Sequence, residues 1–285
     1  MVNDLYCSTG TVVSRLNGYD YTLMSRIFSP MFDKGLIEGC EFMMLRAFYG
    51  HKAEICSSLA GTQLRFPIFH TDKDIGVLLA ECLDSSDRLA LDLYRANCEL
   101  ASAIGSKKTV IHLWGGIPSD RHIDHNLSMV KSICDISQKY SLVPLFENIP
   151  CTVRDPLQLW EKIRKTDRRA RFVFDTRFGE FHRQSKDILE HHLFTSGFVP
   201  HIHISDFKGR KKDFSKLRPI LQPGEGQIDY AAIAELLNDC YFMGSFTIES
   251  PAVRSDGSID TDTLNNTIRF VRENICSPGR RKYRK

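Results

Sequence analysis

The chain has 285 residues, 42% of them hydrophobic and 26% charged, a composition ordinary for a globular protein and a length that can bury one large core. No stretch approaches the roughly eighteen uninterrupted apolar residues of a membrane-spanning helix, and the N-terminal MVNDLYCSTG lacks the basic and apolar regions of a secretory signal. The formal charge is +3, but Arg280, Arg281, Lys282, Arg284 and Lys285 crowd the end of the chain, so the rest carries −2 and offers little general attraction for nucleic-acid phosphates.

Short apolar runs alternate with amphipathic stretches from one end to the other. In chain order, strands are predicted at Asp4–Cys7, Gly39–Leu45, Gln63–His70, Lys108–Leu113, Leu142–Glu147, Arg171–Asp175, Val199–Ile204 and Ser245–Glu249. Their near-continuous hydrophobicity suits parallel strands covered on both faces. Between them, His51–Gly61 carries the weakest helical pattern. Ser86 leads into a helix through Leu89, Leu93, Ala96 and Leu100, ended by Gly105. Asp155 precedes Pro156 as an N-cap before a proline at the first helical position. Asp229 likewise precedes Tyr230–Asp239, and Leu264, Ile268, Val271 and Ile275 repeat at helical spacing.

Eight β-then-α units predict an α/β fold, a (β/α)8 TIM barrel in a single domain over residues 1–277. Residues 278–285, which open within the helix-stopping Ser277-Pro278-Gly279, are expected to form a disordered basic tail. Of nine scattered cysteines without a CxxC pair, several sit in apolar contexts and read as small hydrophobes, as expected in a reducing, cytoplasmic protein.

Four segments, PLFENIP, FVFDTR, HIHISD and FTIESP, set Glu147, Asp175, His203 and Glu249 at the C-terminal ends of predicted strands. That end of a TIM barrel carries the active site. A single acid there reads equally well as an N-cap or a salt-bridge partner. A set of four is harder to explain structurally, because buried charges are costly unless paired or metal-bound. Three carboxylates and one imidazole suit one divalent cation; the predominance of oxygen favours Mn(II), with Mg(II), Co(II) and Zn(II) compatible. A cation with open positions can grip adjacent sugar oxygens, while Glu147 and Glu249 remove and return a proton beside the carbonyl.

Other residues near these ends are candidate substrate contacts, each with a plainer reading. His201 shares a strand face with His203 and reads as a substrate contact or a hydrogen-bonded core histidine. Arg177 is an anion contact or the partner of a neighbouring carboxylate. Lys208 and Arg210, followed by Lys211 and Lys212, bind a substrate phosphate or carboxylate or simply coat a solvated loop. Trp114 stacks on a sugar or packs under a loop.

Taken together, Glu147-Asn148-Ile149-Pro150, Asp175-Thr176, His203-Ile204-Ser205-Asp206, the segment Pro223-Gly224-Glu225-Gly226-Gln227-Ile228-Asp229, and Glu249 resemble the xylose isomerase-like TIM-barrel superfamily, from about Leu5 to Ile275. That superfamily includes sugar-phosphate isomerases and epimerases, inosose dehydratases and the AP endonuclease family 2-like apurinic endonucleases. The resemblance implies that Glu147, Asp175, His203 and Glu249 hold one metal, that Glu147 and Glu249 form the acid–base pair, and that His70 and His112 face substrate. In the endonucleases those histidines would bind further metals.

Two departures favour the sugar enzymes. The family's Asp-x-x-His histidine is replaced by Phe178, with His182 four residues later as a candidate substitute. The endonucleases' Asp-x-His is replaced by Arg218-Pro219-Ile220. The expectation is therefore a metal-dependent sugar or sugar-phosphate isomerase/epimerase working through an enediolate. A polyol-ketone dehydratase, a type IV-like apurinic endonuclease and a non-catalytic sugar-binding barrel are the alternatives. A small sugar, polyol or sugar phosphate is the expected partner, with no membrane or nucleic acid. Members often form dimers or tetramers, so the resemblance also carries the expectation of a homo-oligomer.

Overall fold

The structure is a computed structural model and describes residues 3–276; the basic tail predicted at 278–285 lies outside them. Eight strands run in sequence order around a closed barrel: β1 (Leu5–Ser8), β2 (Gly39–Met43), β3 (Ile68–His70), β4 (Lys108–Ile111), β5 (Val143–Glu147), β6 (Arg171–Asp175), β7 (His201–Ile204) and β8 (Ser245–Ile248). After each strand comes a helix: α1 (Thr22–Asp33), α2 (Lys52–Ala60), α3 (Asp84–Ala103), α4 (Val130–Lys139), α5 (Pro156–Thr166), α6 (Thr176–His182), α7 (Tyr230–Asp239) and α8 (Thr261–Val271). This is the TIM barrel that the alternation of apolar runs predicts. Four strands start later than expected: β1 and β5 by a single residue, and β3 and β7 by more, at Ile68 and His201. Pro67 and Pro200 stand just before β3 and β7, and proline brings no N–H to a ladder.

The chain divides into two compact units, one of which is Glu41–Val173. Its strands pair in parallel, with Glu41 opposite Ile68, Ile68 opposite Lys108, Lys108 opposite Val143 and Leu145 opposite Arg171. Aromatic rings cover one sheet face: Phe42 stacks on Phe69 with centroids 5.0 Å apart, and Trp160 of α5 stacks on Phe172 at 4.9 Å. Tyr94 of α3 places its hydroxyl 3.0 Å from Thr109 and 2.7 Å from Ser137. Strand alternation then turns His70, Val110 and Val173 to the opposite face. Trp160 is fully buried, so Trp160→Ala is expected to cost about 3–5 kcal/mol through lost contacts and a residual cavity, measured as a lowered urea midpoint.

Helix α5 begins as predicted: Asp155 accepts the Gln158 N–H at 2.9 Å while the Gln158 side chain returns to the Asp155 N–H. Helix α3 starts at Asp84, ahead of Ser86, and buries Ser86, Ala90, Tyr94, Asn97, Cys98, Leu100 and Ala101; of the four apolar residues read from the sequence, Leu100 is buried and Leu89 is 50% exposed. Tyr94, with its two hydroxyl partners, is the largest side chain in that buried stripe.

The other unit comprises the chain on either side of Glu41–Val173. There β7 pairs with β8 and β8 with β1, His201 lying opposite Ser245 and Leu5 opposite Phe246. A run of rings, Phe174, Phe194, Phe242 and Phe246, packs at centroid distances of 6.4, 5.5 and 5.5 Å. Asp229 caps α7 through the Ala232 N–H at 3.0 Å. Leu264, Ile268, Val271 and Ile275 are all buried, as their spacing predicts. None of the nine cysteines is in a disulfide, and among the described residues no helix is long and apolar enough to cross a membrane.

Candidate metal centre and active site

Each unit gathers ligand-type side chains at its strand ends. In Glu41–Val173, His70 closes β3, His112 follows β4 and Glu147 closes β5, all three buried. Their ligand atoms lie within 4.8 Å of one another. The His112 Nε2 is hydrogen-bonded to Glu147 Oε2, and His70 Nε2 stands 3.7 Å from the same oxygen. His70 Nδ1 lies 2.9 Å from the Thr71 carbonyl. A carbonyl only accepts, so Nδ1 carries the proton and Nε2 faces the carboxylate. Burial pushes the His112 pKa down to about 4 despite the opposing pull of Glu147, which keeps the imidazole neutral near pH 7.

In the other unit, Asp175 ends β6, His203 lies in β7 and Glu249 follows β8. His203 Nδ1 is 3.4 Å from Glu249 Oε1, and Asp175, His203 and Glu249 each offer a ligand atom within 4.8 Å of the others. Asp175 has a structural task as well: Oδ1 accepts the Phe178 N–H at 2.7 Å and caps α6. Two buried carboxylates this close to each other and to an imidazole repel unless a proton or a cation lies between them. As a donor set they fit a divalent cation that accepts mixed oxygen and nitrogen ligands.

The remaining predicted contacts fall into several environments. His201 is fully buried, with Nδ1 2.8 Å from Ser245 Oγ and Nε2 3.0 Å from Thr247 Oγ1. Both ring nitrogens thus meet hydroxyls of β8, the arrangement of a hydrogen-bonded core histidine. Trp114 is half-buried and donates its indole N–H to Asp120 at 2.6 Å; the other Asp120 oxygen accepts the Thr152 N–H at 2.9 Å, joining the loops after β4 and β5. Lys208 and Arg210 are exposed. Arg177 is buried beside Asp175. His182 is buried with its ring edge-on to Phe181, and among the described residues it belongs to none of the ligand clusters.

The glycine-rich segment 223–229 serves as a scaffold for this face. Asp206, just past β7 and almost fully buried, accepts N–H groups from Phe207 at 2.7 Å, Gly224 at 2.8 Å and Ile228 at 3.2 Å. Gly224 sits at φ +91°, which L side chains rarely adopt, and a Cβ on Gly226 would stand 2.2 Å from Asp206 Oδ1 and 2.5 Å from the Phe207 carbonyl oxygen.

One buried acid was absent from the predicted site. Glu41, inside β2, is fully buried and brings a carboxylate oxygen within 4.8 Å of a His70 nitrogen. The signal was available, since GCEFMML sets one carboxylate in an otherwise apolar run. It stands within the strand, not at its end, and so escapes a search of strand ends.

A closed eight-stranded parallel barrel with acids and histidines collected at its strand ends defines the class. A family model described as xylose isomerase-like TIM barrel matches residues 37–274, and the chain belongs to that family. No curated protein matches it. Among solved structures it is similar to the apo form of 3-keto-D-glucoside 4-epimerase, YcjR, from E. coli (13% identity, 95% of this chain and 99% of that one, TM-score 0.67). It is also similar to a D-tagatose 3-epimerase-like protein (16%, 95% and 98%, 0.66). A third is the IOLI protein with a bound zinc atom (13%, 93% and 98%, 0.67). At these identities the likeness carries the fold.

Proposed function

We propose that this chain is a divalent-metal-dependent sugar isomerase or epimerase, with Glu147, Asp175, His203 and Glu249 as the metal ligands. The observation that carries this reading is the convergence of buried Asp175, His203 and Glu249 within 4.8 Å at the strand ends of a xylose isomerase-like barrel. Glu147 is the fourth ligand by its place at the end of β5. The names of two structural neighbours, a 3-keto-D-glucoside 4-epimerase and a D-tagatose 3-epimerase-like protein, support the reaction class. The zinc in a third supports a metal, while the oxygen-rich donor set leaves Mn(II) the favoured ion.

The bound cation supplies Lewis acidity, polarising the sugar carbonyl and offsetting the negative charge that deprotonation creates. Glu147 and Glu249 move the proton: one carboxylate takes it from the carbon beside the carbonyl and the other returns it. The His112 hydrogen bond to Glu147 and the His203 contact to Glu249 hold these carboxylates in place. The test is incubation of Mn(II)-loaded protein with a panel of ketoses in D2O, which should introduce deuterium next to the carbonyl. No exchange across the panel by metal-loaded protein would overturn the reading.

Metal removal gives a second check. Dialysis against EDTA should lower the thermal midpoint and Mn(II) should restore it, since a ligand at a hundred times its Kd adds about 2.7 kcal/mol to folding stability. A midpoint indifferent to both treatments would argue against a resident metal.

A further inference from the structure

Arg177 lies in the first turn of α6, two residues beyond Asp175, and only 5% of it is exposed. Its guanidinium carbon is 4.5 Å from the centroid of the Phe178 ring, and one terminal nitrogen donates to the Leu217 carbonyl at 3.3 Å. Its Nε is buried without a hydrogen-bond partner. Among the described residues no carboxylate pairs with it, which rules out the plainer expectation that Arg177 is held by a neighbouring acid. A guanidinium stays charged at any accessible pH, and burying it without a counter-anion is costly.

The carbonyl that anchors Arg177 belongs to the peptide leading into Arg218, so the loop after β7 carries a second arginine to the same place. Arg218 reaches solvent. Burial and then Arg177 hold its pKa below the ordinary range, while Glu249 acts in the opposite sense. Arg218 therefore lies within electrostatic reach both of Arg177 and of Glu249, one of the two glutamates assigned to proton transfer. Arginine forks match carboxylate and phosphate oxygens in a way that sugar hydroxyls do not.

We propose that Arg177 and Arg218 form an anion-binding site beside Glu249, and that the substrate is a sugar bearing a carboxylate or phosphate in place of a neutral sugar. This substrate assignment rests on the isomerase/epimerase reading, whereas the anion site stands on the arginines alone. Arg177 grips from the buried side and Arg218 closes over the anion from solvent. The anionic group thereby fixes how far along the sugar the proton-bearing carbon sits from Glu249.

Calorimetric titration of the full-length, Mn(II)-loaded protein with D-fructose, D-fructose 6-phosphate, D-glucuronate, inorganic phosphate and acetate tests this. At least one anionic sugar should bind about tenfold or more tightly than D-fructose, the size of a charge-assisted contact. Arg218→Gln should bring that ratio close to one, and Arg218→Lys should keep part of it. Because Arg218 is solvent-reaching, its variants should melt like the parent protein. Arg177→Gln, at a buried site, is read only alongside its melting curve.

Competition by inorganic phosphate assigns a phosphate group, and competition by glucuronate or acetate but not phosphate assigns a carboxylate. Equal affinity for neutral and anionic sugars overturns the proposal. So does an Arg218→Gln protein that keeps the ratio, or a failure of any of these anions to bind. The readout is separate from proton exchange. Exchange on neutral ketoses without anion preference would remove the anion site and keep the isomerase, while anion binding without exchange on any sugar would do the reverse.

Discussion

Glu249→Gln and Glu147→Gln should each lower the rate of deuterium incorporation in D2O by about 100- to 10,000-fold, the range expected for losing a positioned acid or base. Glutamine keeps the shape and one carbonyl oxygen of each side chain, so the barrel should survive the change. Glu147 receives the His112 hydrogen bond and lies 3.7 Å from His70 Nε2, and Glu249 lies 3.4 Å from His203 Nδ1. A variant retaining exchange close to the parent rate would remove that glutamate from the proton-transfer role. Metal content should be measured on the same samples. A glutamate that only holds the metal should lose exchange together with bound Mn(II), whereas one that also moves the proton should lose exchange even in a fully loaded protein.

A stability effect as large as that of Trp160→Ala is expected at Asp206. Alanine there would leave the N–H groups of Phe207, Gly224 and Ile228 without the carboxylate that now accepts them. A buried donor left unsatisfied costs about 1–3 kcal/mol, more when a charged acceptor is lost, so Asp206→Ala is expected to cost about 3–5 kcal/mol. Gly226→Ala attacks the same junction from the other side. Its Cβ would stand 2.2 Å from Asp206 Oδ1 and 2.5 Å from a backbone oxygen, and overpacking of this kind costs about 1–3 kcal/mol. Because the residues touch, the double variant should lose less than the sum of the single losses. Urea denaturation of the three proteins measures this, and full additivity would mean that Asp206 and Gly226 act at separate places.

These expectations separate two roles that the sequence motifs run together. PGEGQID is distinctive in sequence, yet its glycines and the Asp206 carboxylate knit loops to one another. The acids proposed to carry the chemistry sit in short, ordinary-looking segments such as FTIES and FVFDT. A motif can be conspicuous because backbone packs closely there, with no reactive group involved.

The sequence by itself determined the order of elements and the strand ends at which the acids and histidines gather. Eight apolar runs separated by amphipathic stretches admit few arrangements in a chain of this length, and right-handed crossovers turn every strand the same way. The predicted and observed β6 coincide at Arg171–Asp175, and the ends of β3, β5 and β6 at His70, Glu147 and Asp175 agree as well. Capping chemistry is local, so Asp155 and Asp229 could be read directly.

What the sequence left open depends on side chains far apart along the chain. His201 and His203 are equivalent by spacing. The tertiary structure distinguishes them by setting Ser245 and Thr247 against one ring and Glu249 against the other. The partners of Tyr94 on α3, Thr109 and Ser137, lie outside that helix, and Glu41 was hidden by lying within a strand. Arg218 read as a missing ligand, and only the folded loop, with the Leu217 carbonyl bonded to Arg177, brings that stretch of chain to a buried guanidinium. Periodicity reports which way a residue points along its own element; what it meets there is fixed by packing between elements.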